Sequence, residues 1–222
     1  MYEFVRGPMV FISVIIFIIG LIYQACRLIS ITKKKDKQYF TSKVAKEKNG
    51  FLQYFKKKFS FSSIRTRTIL GTQPFLALLT FIFHFCIIIT PIFLMGHNVL
   101  IYQSWEFSFC SFSETITDIL TIIFLISALI FLARRILVSR VRAVSSLFDY
   151  ILLLITIAPF LTGYLAYHQL VNYENIITIH IITGELMLIA VGLTKLGHMI
   201  FFFFARFFIG SEYSFRSGSR AW

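Results

Sequence analysis

Residues 176–208 read IITIHIITGELMLIAVGLTKLGHMIFFFFARFF. Almost every position is apolar, and the run is long enough to cross a bilayer with room to tilt. It carries two histidines, His180 and His198. At 100° and 1.5 Å per residue, eighteen residues of continuous helix are five whole turns, so both imidazoles would share one face about 27 Å apart. That is close to the thickness of the hydrocarbon core, about 30 Å. An imidazole buried in lipid is costly and marks a functional position by default. Two of them near opposite leaflets point to a ladder of two cofactors through a membrane.

The rest of the chain agrees with a membrane setting. Of 222 residues, 57% are hydrophobic and 14% charged, well below the roughly 25% charged residues of soluble domains; mean hydropathy is positive. The net charge of +12 does not mark a nucleic-acid binder, because it is concentrated. Twelve Lys and Arg lie between Lys33 and Arg67, in one loop between apolar spans. That is the positive-inside signal of a cytoplasmic loop. Its stretch FLQYFKKKFSF (51–61) interleaves aromatics with lysines, as an interfacial segment on anionic lipid or a docking surface for a cytoplasmic subunit would.

Five spans follow from hydropathy: about 9–31, 74–102, 116–132, 147–167 and 176–208, with 32–73 as the basic cytoplasmic loop. No second domain and no internal repeat is visible, so 1–222 reads as a single membrane domain. Positive charge follows the first apolar run instead of preceding it, and no small-residue cleavage site appears, so that run is expected to stay as a helix. Arg134, Arg135, Arg140, Arg142, Arg206, Arg216 and Arg220 mark inner segments, while Glu106, Glu114 and Glu174 mark outer ones. The expected fold class is an all-α integral membrane protein, a five-transmembrane-helix bundle with a periplasmic N-terminus and a cytoplasmic C-terminus, in the inner membrane. Only helices or closed barrels satisfy the backbone in lipid, and long apolar runs are helices. The three cysteines, Cys26, Cys86 and Cys110, form no CxxC or CxxCH, so covalent haem and iron–sulfur sites are unsupported.

Four of the five histidines lie in two spans: His84 and His97 in the second, His180 and His198 in the fifth. These spans run antiparallel. His97 therefore falls at the outer level with His180, and His84 at the inner level with His198. Facing imidazoles from different helices are what two b-type haems need. Thirteen residues of straight helix rotate by about 220° and rise about 20 Å, so His84 and His97 need reorientation, and Pro91 between them can supply a kink. Gly96, Gly184 and Gly197 lie beside the histidines, where a porphyrin edge or a neighbouring helix wants little bulk. Lys195, Arg134, Arg135 and Arg206 are candidate partners for haem propionates; the arginines also serve the positive-inside rule. His168, at the end of the fourth span, is an interfacial anchor, a quinone or proton site, or a substitute for His97. Glu185, ionisable within the fifth span, is a candidate proton relay, with Asp118 a weaker one.

The segments FHFCIIITPIFLMGH (83–97), APFLTGYLAYHQ (158–169) and IHIITGELMLIAVGLTKLGHMIFFFFARFFIGSE (179–212) together resemble a known family. It is that of the cytochrome b membrane subunits of Tmc-type transmembrane electron-transfer complexes of sulfate-reducing bacteria. These group with the gamma subunit of respiratory nitrate reductase and the DsrM-type subunits of sulfite reduction. FVRGP (4–8) and GSEYSFRSGSRAW (210–222) are similar too, so the resemblance covers nearly the whole chain. It implies five helices, two haems b on the second and fifth, and menaquinone chemistry. It also implies a cytoplasmic iron–sulfur subunit related to heterodisulfide reductase and a periplasmic multihaem cytochrome c. The eighteen-residue spacing in the last span is met by His180 and His198; the His84–His97 spacing is wider than in the nitrate reductase branch. The alternatives are a haem-free membrane anchor and an ion- or proton-translocating subunit. The lack of a repeat argues against a transporter.

Overall fold

The structure is a computed structural model that describes residues 2–33 and 69–202. Most of the basic loop, Arg206 and the rest of the tail lie outside the described residues. Among the described residues everything regular is helical. A short N-terminal turn and a π turn at Val5–Met9 lead into α1 (Val10–Lys33). Pro8 sits in that π turn, where its missing amide hydrogen cannot support the narrower helical ladder. Then follow α2 (Pro74–Phe93), α3 (Met95–Trp105), α4 (Glu114–Leu137), α5 (Leu147–Tyr167) and α6 (Tyr173–Leu193). Among the described residues five helical segments are long and apolar enough to cross a membrane, and the chain is a multi-pass membrane protein.

The helices form an arc. α1 packs along α6, α6 along α5, α5 along α4, and α4 along α2. Lipid-immersed helices gain no hydrophobic drive from one another, so close approach through small residues matters. At the α1–α6 crossing a Cβ on Gly20 would overlap the Gly192 backbone, and one on Gly192 would meet Phe17 Cα at 2.9 Å. α2 buries Leu79, Phe83, Cys86, Ile87 and Thr90, one stripe at helical spacing. It meets a matching stripe of α4 that includes Thr117, Thr121, Phe124 and Ala128. The core is an aromatic stack from three helices: Phe124 lies 4.9 Å from Phe83 and 3.9 Å from Phe160, centroid to centroid. One end of the bundle is basic (Arg134, Arg135, Arg140, Arg142, Lys195) and the other acidic (Glu106, Glu114, Asp118, Glu174).

Two expected spans are not single helices. The second breaks at Leu94, whose ψ of 128° is extended, three residues after Pro91. Asn98 holds the break: its amide donates to Ile92 O and Leu94 O at 3.0 and 3.2 Å and its carbonyl accepts from Phe109 N at 2.9 Å. The fifth ends at Leu193. Thr194 is extended (φ −120°, ψ −172°), and a 3₁₀ turn, Lys195–Gly197, precedes a helical restart at His198. The Thr194 hydroxyl donates to Ala190 O at 2.5 Å and accepts from Leu196 N at 3.3 Å, satisfying both sides of the break. The continuous-helix argument that put His180 and His198 on one face therefore fails. The break, not helical phase, orients His198.

Candidate functional site

The four histidines meet in two pairs. His97 of α3 and His180 of α6 have ring centroids 5.9 Å apart and planes 23° from parallel. His84 of α2 and His198, just past the α6 break, are 5.8 Å apart with planes at 83°. Each pair joins residues far apart in sequence, across a gap flanked by α5.

All four imidazoles are held the same way. Nδ1 contacts a backbone carbonyl in every case: Thr80 O for His84 at 2.7 Å, Pro91 O for His97 at 2.9 Å, Pro159 O for His180 at 2.9 Å and Lys195 O for His198 at 2.7 Å. A carbonyl oxygen only accepts, so Nδ1 carries the hydrogen and Nε2 keeps its lone pair. That tautomer and that anchoring are what metal-ligating histidines show. The Pro91 carbonyl is open to His97 because α2 ends two residues later, leaving it among the orphan carbonyls of a helix terminus.

His180 is the most firmly seated. Thr162 donates its hydroxyl to Ala158 O at 2.7 Å, which leaves its lone pairs toward His180 Nδ1, 3.4 Å away. Thr183 lies 3.3 Å from the same hydroxyl. Gly163 lies against the ring, where a Cβ would be 2.9 Å from Cε1.

The His84–His198 pair opens into a cleft of about 270 Å³ at the basic end. Its walls are apolar, with Phe83, Leu152, Met187 and Val191 among them, and its charged lining is Arg135, Lys195 and Asp149. Asp149 ties the two cations. Its Oδ1 accepts from Lys195 Nζ at 3.1 Å, and its Oδ2 lies 3.8 Å from Arg135. Oδ2 also accepts from the Ser146 amide and hydroxyl, both at 2.9 Å, forming the cap that starts α5.

Of the other candidates, Arg134 is half-buried and does not line this cleft. His168 ends α5 at the acidic end, where Nε2 is 3.0 Å from Asp118 Oδ2 and the Tyr164 ring lies 4.3 Å away. Glu185 is buried at 5% exposure, and its Oε1 has no hydrogen-bond partner among the described residues. Gly96 and Gly184 border open space, while Gly197 faces the Gln24 amide of α1. Sequence reasoning missed Asp149, Thr162, Gly163 and Gln24 as supports of the site. An acidic residue between basic inner segments was the available signal for Asp149; the others needed the helix neighbours.

Among the described residues no three or more His, Cys, Asp or Glu side chains cluster to hold a metal ion. Two imidazoles alone leave an ion short of donors, whereas a porphyrin brings four in-plane nitrogens. At each pair two imidazoles from distant parts of the chain, with ring centres 5.9 and 5.8 Å apart, offer the donor set that a haem would need.

The chain is 32% identical over 224 residues to a chain described as "Protein" from Nitratidesulfovibrio vulgaris strain Hildenborough, an alignment spanning 98% of this chain and 96% of that one. The two belong to one family. No family model and no solved structure matches the chain.

Proposed function

We propose that this protein is the dihaem cytochrome b membrane subunit of a respiratory electron-transfer complex. It would pass electrons between a periplasmic multihaem cytochrome c or menaquinone and a cytoplasmic iron–sulfur subunit resembling heterodisulfide reductase. The observation that carries the reading is the pair of cross-span histidine couples, each with Nδ1 tied to a carbonyl and Nε2 left free. His97 and His180 would hold one haem b, His84 and His198 the other. When bound, haem supplies one-electron redox chemistry that the side chains lack.

The chain's own residues supply the rest. Backbone carbonyls orient each ligand and raise its basicity. Arg135 and Lys195 offer cations to propionates at the basic end, and the Phe83–Phe124–Phe160 stack packs the bundle interior. The basic end would face the cytoplasm, by the distribution of Lys and Arg, with the acidic end toward the periplasm of the inner membrane. His168 with Asp118, together with Glu185, are the groups available for proton exchange with a quinone.

The partners and the quinone rest on the family resemblance in the sequence motifs. A reduced-minus-oxidised visible spectrum of the purified protein tests the reading. Low-spin haem b bands support it; their absence leaves a haem-free anchor or translocating subunit.

A further inference from the structure

Resting on the dihaem reading, we infer that Gln24 of α1 is a positioning residue for His198, so that a helix without a histidine sets the geometry of the basic-end site. Three observations converge on it. The Gln24 side-chain amide faces three carbonyls at the α6 break: Gly192 O in close contact, and Val191 O and Thr194 O at 3.4 Å each. Carbonyls only accept, so the NH₂ group must be the one turned toward them. Val191 O and Gly192 O are among the last carbonyls of α6, which have no intrahelical partner, and in a membrane no water replaces one; Thr194 O, just past the helix, also accepts from Gly197 N at 3.2 Å.

The second observation is steric. Gly20, one turn before Gln24 on α1, lets the Gly192 backbone approach until no Cβ fits between them. Gly197, the residue before His198, is likewise filled by the Gln24 amide, which any side chain there would meet. Glycines at 20, 192 and 197 thus bring the broken segment within reach of one side chain.

The third is the continuation of the same segment. The Thr194–Gly197 turn presents the Lys195 carbonyl that accepts from His198 Nδ1 at 2.7 Å. Gln24 pins the carbonyls on the near side of that turn, and the turn pins the imidazole. Loosening the first frees the second to rotate and weakens the hydrogen bond that tunes ligand basicity. The His97–His180 pair has no such dependence, because its carbonyls come from Pro91 and Pro159.

The test uses the full-length protein with Gln24→Leu, and with Gln24→Asn, which keeps the amide but shortens its reach. Two readouts are taken. Hydrogen exchange at the Leu196–His198 amides is expected to quicken roughly tenfold in either variant, as loss of a net hydrogen bond allows. The midpoint potential and low-spin EPR signal of the haem that disappears in His198→Ala are expected to shift, with the other haem unchanged. Unaltered exchange overturns the proposal, as does an equal shift of both haems or no shift in protein carrying both. If only one variant accumulates, it is read by the same criteria. If wild-type protein binds no haem, the dihaem reading fails, and exchange at Leu196–His198 still decides the role of Gln24.

Discussion

Gly163 of α5 lies flat against His180 of α6, and the imidazole occupies the space a side chain at 163 would need, with Cε1 only 2.9 Å from where a Cβ would be. The ring cannot retreat freely, because Nδ1 is held by Pro159 O one turn earlier on the same helix. Gly163→Ala is therefore expected to turn His180 off that carbonyl, at a cost of about 1–3 kcal/mol typical of overpacking. Resolved redox titration should show one haem with altered potential or reduced occupancy, the same one that is lost in His180→Ala. Wild-type behaviour of both haems would contradict this account of Gly163.

Single alanine variants of the four histidines should fall into two phenotypes. His97→Ala and His180→Ala are expected to lose one haem; His84→Ala and His198→Ala are expected to lose the other. EPR of the remaining low-spin signal sorts them. His168→Ala should keep both, since His168 is engaged by Asp118 and not by either pair. One haem lost in His168→Ala and none in His97→Ala would mean the ligand at the acidic end is misassigned.

Which histidines share a level could be read by counting residues along antiparallel spans, because helical rise is nearly invariant. The orientation of His198 could not. It depends on a break at Thr194, in a stretch whose apolar pattern runs on without interruption, and on Gln24 from a helix some 170 positions earlier. The Pro91 kink was legible; that the chain would open at Leu94 and be held by Asn98 was not, since Asn98 works through the loop residue Phe109. Gly197 illustrates the same limit. A glycine beside a histidine suggested clearance for a porphyrin, but its neighbour is the Gln24 side chain, while Gly96 and Gly184 do border open space. The topology of five spans, by contrast, follows from composition alone, because lipid admits so few backbone solutions.

At the basic end, Lys195 is mostly exposed and Arg135 is about one-third exposed, and both are drawn to Asp149. Lys195→Ala alone is expected to leave haem loading unchanged, since exposed ion pairs contribute little. The double variant Arg135→Ala/Lys195→Ala should lower occupancy of the His84–His198 haem and leave its partner at full occupancy. Haem-to-protein ratios, with the two centres separated by potential, check this. Equal loss of both haems would argue for a general folding defect.

Orientation is tested by reporter fusion. Alkaline phosphatase fused after Lys58 or at the C-terminus should be inactive, and one fused in the 106–113 loop active, as the distribution of Lys and Arg requires. Activity at Lys58 would invert the assignment of the basic end.

The central claim is that each of the two histidine pairs holds one haem b. A pyridine haemochrome assay on purified full-length protein, normalised to polypeptide by amino-acid analysis, measures this most directly. Two haems b per chain are expected; one would remove a site, and none would contradict the claim altogether.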